Sequence, residues 1–177
     1  IINKRNAIHY ENMSISLAES LGNNGSGFIY QMAFGNGGTS VDPTGIITYL
    51  TPNSTGTNAS LYNQTYAKIV DDRSANNTDP FRNKIETRHV SGTNYTDVLV
   101  SCLLDYGEPS GQDAFDNSAN TEGTFIFDEL GLRSYDPDGN GRLLTHVIFH
   151  PVQKSLNRLI QVDYTVRVQS LTGFNEE

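Results

Sequence analysis

The chain has 177 residues, 36% hydrophobic and 18% charged, with nine Tyr, eight Phe and no Trp. That length fits one domain of roughly 100–200 residues, a size that buries about 70% of the unfolded surface and folds without a metal or disulfide staple. A formal charge of −8 argues against nucleic acid and anionic membrane surfaces as partners, and no apolar run approaches the ~20 residues that span a bilayer.

The densest basic pair, Lys4-Arg5, sits at the extreme start. The chain opens on Ile1 rather than Met, the pattern expected where a preceding segment is removed, and it shows no secretory signal. Residues 6–22 are predicted to form a helix, because Tyr10, Met13, Leu17 and Leu21 recur at three- and four-residue spacing. Ile8, Ile15 and Ala18 widen that apolar stripe, Asn6 is the expected N-cap and Gly22 the expected stop. The polar turn at residues 23–27 closes it.

From Gly27 the period becomes two. Phe28, Tyr30, Met32 and Phe34 alternate with Ile29, Gln31 and Ala33, which predicts a strand ending at Gly35-Asn36-Gly37-Gly38. Residues 46–50 read as a short strand and residues 51–60 as a loop rich in Pro, Asn, Thr and Gly. Residues 61–70 fit a helical turn or a strand equally. Residues 71–83 read as polar loop and residues 84–90 as strand. Residues 98–106 form a continuous apolar run expected to be buried on both faces. Within it, Cys102 is the sole cysteine. It excludes an internal disulfide framework and reads as a small buried apolar side chain rather than a nucleophile, fitting assembly in a reducing compartment.

Residues 107–123 carry no period and read as a long loop. Residues 124–135 and 142–150 are predicted strands joined by Asp136-Pro137-Asp138-Gly139-Asn140-Gly141, a hairpin signal. Residues 151–157 read as a connection. Ile160, Val162, Tyr164, Val166 and Val168 then alternate strictly with Gln161, Asp163, Thr165 and Arg167, the pattern of a long antiparallel strand with one face in the core. The predicted class is mainly β (α+β): an N-terminal helix, then an antiparallel β-sandwich-like domain with long loops, one domain over residues 1–177 with about six to eight strands between residues 27 and 170.

Chemistry-bearing patterns are sparse. His146 and His150, four apart on a strand, stand roughly 13 Å apart at ~3.3 Å per residue, too far to share a metal. His9 and His89 stand alone, and all four histidines read as structural. Asp136, Asp138, Asn140 and Gly141 match the first half of a calcium loop of the EF-hand kind, but Val147 occupies the twelfth position where a carboxylate is required. A turn is the better reading, with a weak calcium site as the lesser one. Glu122, Asp128 and Glu129 supply candidate carboxylates for glycoside hydrolysis, without the Trp that would stack on a sugar. The glycines at residues 35–38 lack a following Lys-Ser/Thr and match no phosphate-binding fingerprint, and no Gly-x-Ser-x-Gly elbow occurs. Asn-x-Ser/Thr triplets such as the one at Asn53 follow from an Asn-rich composition. No catalytic residue and no cofactor is predicted. A strand-rich, charge-poor, loop-heavy chain suits assembly through strand edges and loops.

The order of several motifs carries a resemblance. Leu21-Gly22 ends a helix. An apolar strand runs from Met32 into the Gly35–Gly38 turn, and Pro52 sits in a loop. Leu61-Tyr62-Asn63-Gln64-Thr65-Tyr66 follows, then the run from Glu122 through Phe125, Glu129 and Gly131 to Leu132. The Asp136–Asn140 hairpin and a closing strand at residues 159–168 complete the series. The series resembles the N-terminal attachment domain of tail-collar fibre proteins of tailed bacteriophages, over nearly the whole chain. The resemblance implies a non-enzymatic virion protein, assembled in the host cytoplasm, that docks as a homo-oligomer onto other virion proteins of the tail, neck or baseplate. Family members continue into a fibre shaft and receptor-binding tip, whereas this chain stops at Glu177, which points to a baseplate, neck or collar component or a small adaptor. The solvent side of the last strand and the loops at residues 51–60 and 107–121 are the expected contact regions. A host-receptor or glycan-binding module is the alternative from another class, a capsid decoration protein a close neighbour, and a hydrolase the third reading.

Overall fold

The computed structural model describes residues 2–109, 124–139 and 141–171. Those residues are mainly β, and every strand pairing is antiparallel. In chain order the elements are β1 (Ala7–Ile8), α1 (Tyr10–Leu21), β2 (Ile29–Gly35), β3 (Thr39–Val41), β4 (Ile47–Tyr49), β5 (Gln64–Ile69), β6 (Lys84–His89), β7 (Tyr95–Leu104), β8 (Thr124–Ser134), β9 (Thr145–Ser155) and β10 (Ile160–Gln169). They make a five-stranded sheet ordered β1-β9-β8-β2-β5, a three-stranded sheet ordered β10-β7-β6, and the β3-β4 hairpin.

The two larger sheets contribute to one core. Met32, Phe34, Phe125, Phe127, Leu130, Leu132, Val147 and Phe149 come from the five-stranded sheet; Val100, Cys102, Leu104, Tyr164 and Val166 come from the three-stranded one. The alternation in β10 holds: Tyr164 and Val166 are buried while Gln161, Asp163, Thr165 and Arg167 are exposed. Cys102 is buried and free, and burial pushes its thiol up to about 12, as an inert core side chain requires. In β7, consecutive burial is confined to Cys102, Leu103 and Leu104, at its C-terminal end.

A register shift between Phe127 and Glu129 interrupts the β8–β9 ladder. It changes the phase of β8: Phe125 and Phe127 enter the main core before it, Leu130 and Leu132 after it. Consecutive Asp128 and Glu129 are both buried at this bulge. On the far face of the same sheet a second small core gathers Ala33, Leu61 and Leu143, with Ala59 packed against it. The centre of the five-stranded sheet is therefore covered on both sides, which is why Met32, Ala33 and Phe34 are all buried despite their alternation.

Several sequence expectations are corrected. The helix begins at Tyr10 rather than Asn6, because Ala7 and Ile8 are drawn into the sheet opposite His146 and Thr145. His9 is the N-cap, its Nδ1 accepting the Asn12 N–H at 3.1 Å. The helix also buries its polar side. Asn12 and Ser16 face inward, where Asn12 Nδ2 donates to the Leu143 carbonyl at 2.9 Å and the Ser16 hydroxyl to the Gly27 carbonyl. Of the predicted apolar stripe only Met13 packs on the core; Tyr10 and Leu21 are 79% and 88% exposed. Residues 151–157 are not simply a connection, since β9 runs on to Ser155, opposite Thr124. Pro151 falls in the irregular stretch where no ladder N–H is required. Of residues 61–70, open between a helical turn and a strand, Gln64–Ile69 form the strand β5, and β3, unforeseen in the sequence, pairs with β4.

β9 also carries the buried Lys154, whose ammonium donates to the carbonyls of Asp105, Glu108 and Ser155 at 3.0, 2.6 and 2.8 Å. These bonds tie the end of β7 to the end of β9. A Cβ at Gly131 would stand 2.3 Å from the Thr145 carbonyl oxygen and 2.8 Å from Leu143 Cδ1. Gly131→Ala is accordingly expected to lower stability to urea unfolding by about 2–3 kcal/mol. Gly45→Ala, in a turn with open space around it, should cost about 1 kcal/mol, from its positive φ alone.

Candidate functional site

The one concentration of buried ionisable groups among the sequence candidates lies on β8 where its register with β9 shifts. Asp128 accepts the Gly38 N–H at 2.8 Å, the Thr39 N–H at 2.9 Å and the Thr39 hydroxyl at 2.6 Å. Glu129 accepts the N–H groups of Gly37, Tyr62 and Asn63 at 3.2, 3.0 and 2.8 Å. It also accepts the Nε2–H of His146 at 2.8 Å. The glycines at residues 35–38 serve this geometry. A Cβ on Gly35 would stand 2.5 Å from Glu129 Oε1, and one on Gly37 2.8 Å from the Asn63 nitrogen, so only bare backbone comes close enough to donate.

Burial raises the Glu129 carboxyl. The bonds from His146 and from the Asn63, Tyr62 and Gly37 amides outweigh that and hold it below its ordinary value. His146 in turn uses Nδ1 to accept the Asn53 N–H at 2.8 Å, so it stands as the neutral tautomer with both nitrogens engaged. His9 repeats the device: Nδ1 caps the helix and Nε2 meets the Gly56 carbonyl at 2.8 Å. These histidines and Glu129 hold the loop at residues 51–63 from below, at Asn53, Gly56, Tyr62 and Asn63.

Exposed apolar side chains stand on the β3–β4 hairpin and beside it. Val41 and Ile46, at either side of the β3–β4 turn, are 64% and 63% exposed, and Tyr49, Leu50 and Tyr62 are exposed as well. The turn is set by Asp42, whose carboxylate accepts from the Thr44 and Ile46 amides at 2.8 and 2.9 Å and from the Thr44 hydroxyl at 2.6 Å. Tyr49 is placed by a 3.3 Å contact of its hydroxyl with His150 Nδ1, and Tyr62 by a bond from its hydroxyl to the Thr51 carbonyl. The Tyr62 ring also lies 5.7 Å from that of His146. By the hairpin register Val41 and Tyr49 lie on one face and Ile46 and Leu50 on the other, so the fixed hairpin exposes apolar side chains on both of its faces.

The remaining sequence candidates are not brought to this place. At the calcium-like turn, Asp136 Oδ1 accepts the Asp138 N–H at 2.9 Å and the Asp136 carbonyl accepts the Gly139 N–H at 2.9 Å. Gly139 has φ +86°. These are the bonds of an Asx turn; Asn140 lies outside the described residues. Glu122 lies outside them too, as does most of the loop at residues 107–121. Among the described residues no three His, Cys, Asp or Glu side chains gather as a metal site requires. His89 is exposed and contacts the Tyr95 carbonyl oxygen at 3.0 Å. On the solvent side of β10, Arg167 pairs with Asp97 through two bonds of 2.8 and 3.1 Å and covers the Tyr95 ring at 3.8 Å, and Gln161 bonds Asp163 at 3.0 Å. This face is engaged largely with itself. No helix among the described residues is long and apolar enough to cross a membrane.

No protein-family model matches the chain, and no curated protein or solved structure is significantly similar to it.

Sequence reasoning missed the roles of His9, Asn12 and His146 and the exposure of Val41, Ile46 and Tyr49. One signal was available: consecutive acids amid Phe, Ile and Leu in β8 need a set of donors, and a glycine-rich turn is a ready source of N–H groups. Because the folded Glu129 carboxyl lies below its unfolded value, its stabilisation is complete above about pH 4.5 and is lost as pH falls through the folded value. Glu129→Gln is expected to cost about 3 kcal/mol at pH 7. It should also flatten the fall of melting temperature on acidification, measured by calorimetry from pH 7 down to pH 3.

Proposed function

We propose that the chain is a structural protein of a tailed-bacteriophage virion, a tail, neck or baseplate fibre-attachment or adaptor component acting by protein–protein assembly. In this reading it is an N-terminal helix followed by an antiparallel β-sandwich-like domain. It is assembled in the host cytoplasm and works in the virion as a homo-oligomer against other virion proteins. The order of motifs from Leu21-Gly22 to the closing strand supports the family reading, and the core shared by the two sheets supports the sandwich.

The observation that carries the assembly role is the exposure of Val41, Ile46, Tyr49, Leu50 and Tyr62 on and beside the β3–β4 hairpin. Apolar and aromatic side chains held in place lose little conformational entropy on docking, and such anchors dominate interface energies. A non-enzymatic role is supported by the state of the acids. Asp128, Glu129 and His146 spend their hydrogen-bonding capacity on main-chain N–H groups and on each other, which leaves them poorly placed to exchange protons with a substrate. The exposed rings of Tyr49 and Tyr62 also favour the second reading, a glycan-binding module, since an aromatic face can stack on a sugar ring.

Native mass spectrometry tests the assembly reading. The chain is expected as an oligomer that copurifies with virions. Val41→Asp with Ile46→Asp should shift it toward monomer by at least about 2 kcal/mol of association free energy, at unchanged melting temperature. A monomer that stays off the particle but is retained on a glycan array would replace the assembly reading with the glycan one.

A further inference from the structure

The last strand leaves one edge open. β10 pairs with β7 alone, in a register that runs unbroken from Ile160 to Gln169. Just past its end the Ser170 N–H donates to the Asn94 carbonyl at 2.9 Å, and hydrogen-bonded pairs alternate along an antiparallel ladder. The even-numbered residues of β10 therefore spend their main-chain groups on β7. The odd-numbered ones, Gln161, Asp163, Thr165, Arg167 and Gln169, aim theirs away from it. β7 agrees, since its Leu103 N–H turns to the opposite side, to Asn83 Oδ1 at 2.9 Å, just ahead of β6. Five N–H and five C=O groups thus line the free edge of β10, and among the described residues none of them has a hydrogen-bond partner.

Exposed edges are ordinarily kept short or blunted by charge, Pro or a bulge. At the other edge of the same sheet, β6 carries Lys84, Glu86 and Arg88, joined by ion pairs. β10 is ten residues long and contains no Pro, Gly or Lys.

Its sequence is complementary to itself. An antiparallel copy of β10, set with Thr165 opposite Thr165, places Asp163 opposite Arg167 of the second copy, and symmetry repeats the pair. The same register sets Val162 opposite Val168 and, continued past the strand, Leu159 opposite Leu171, residues 44% and 86% exposed. Other centres lose this match. Centring on Asp163 sets that carboxylate against itself, and centring on Arg167 sets two guanidinium groups together; like charges directly opposite destabilise a ladder. Both groups have capacity to spare. Gln161 bonds only Oδ1 of Asp163, and Arg167 gives Asp97 its Nε and Nη2, leaving Nη1.

We propose that the free edge of β10 binds a second copy of this chain, antiparallel about Thr165, so that two three-stranded sheets join as one continuous sheet. Main-chain bonds supply the attraction, and the Asp163–Arg167 crossings set the register. The proposal rests on the homo-oligomer of the reading above and gives it a contact that makes no use of Val41 or Ile46.

Analytical ultracentrifugation of the full chain, combined with amide exchange, tests the pairing. A dimer is expected at about 100 μM. The N–H groups of Asp163, Thr165 and Arg167 should exchange more slowly as concentration rises, while those of Tyr164 and Val166 stay protected throughout. Thr165→Pro removes an outward N–H and puts a ring in the gap, so it should abolish the dimer. It takes no bond from β7 and should leave the melting temperature nearly unchanged. Asp163→Arg and Arg167→Asp should each weaken the dimer by about tenfold or more. An equimolar mixture of those two variants, which restores opposite charges at both crossings, should dimerise again. A monomeric wild type, a dimer indifferent to Thr165→Pro, or a mixture no better than its components overturns the proposal. So does an oligomer lost on Val41→Asp with Ile46→Asp but kept on Thr165→Pro, an outcome that leaves the assembly reading standing. A dimer that Thr165→Pro abolishes but that stays off virions supports the pairing and removes the virion reading. Should Thr165→Pro fail to fold, the mixing experiment decides alone.

Discussion

The buried carboxylate of Glu129 is the constraint on which the outer layer of this protein depends. It sits fully buried at a β-bulge, and an ionised carboxylate there is tolerable only if its oxygens are satisfied. Three backbone amides and one imidazole meet that demand. The amides belong to two segments far apart in sequence, residues 37 and 62–63, so satisfying one side chain fixes both segments against the sheet. Asp128, its neighbour, does the same for Gly38 and Thr39. Both acids are buried because the centre of this sheet is covered on both faces, as it is at Met32, Ala33 and Phe34.

The same logic recurs wherever an irregular segment meets the sheet. His9 holds Gly56, His146 holds Asn53, and Lys154 collects three carbonyls beside the end of β7. A chain with long polar loops and few charges has little apolar area with which to pack those loops. Buried side chains bonded to backbone supply the missing order, and they are directional, so the loops take defined shapes. That is the physical basis for the fixed shape of the hairpin and loop on which Val41, Ile46, Tyr49 and Tyr62 are exposed. The acids that a sequence reading nominates for hydrolysis are, in the fold, the fasteners of that hairpin and loop.

Burying polar groups beneath the loops leaves apolar ones elsewhere. α1 turns Asn12 and Ser16 inward to bond the backbone and leaves Tyr10, Leu17 and Leu21 outside.

The strands were legible where a single period ruled. β10 declared its buried and exposed faces through strict alternation from Ile160 to Val168, and β6 and β2 were placed to within about two residues, an ordinary boundary error. Cys102 was legible because an apolar run surrounds it. The helix was legible as an element but not in orientation: periodicity finds a stripe, and the helix was instead docked by two side-chain hydrogen bonds with carbonyls at Gly27 and Leu143. β1, β3 and the second half of β9 were invisible because each exists only through a partner strand, and a two- or three-residue segment has no period to read. The sequence by itself determined the β-rich class, the turn positions and the apolar alternation, since these follow from local sterics and from which side chains avoid water. Only the tertiary structure decided the roles of Asp128, Glu129, His9 and His146, because a buried charge acquires its function from donors that the fold brings to it from distant parts of the chain.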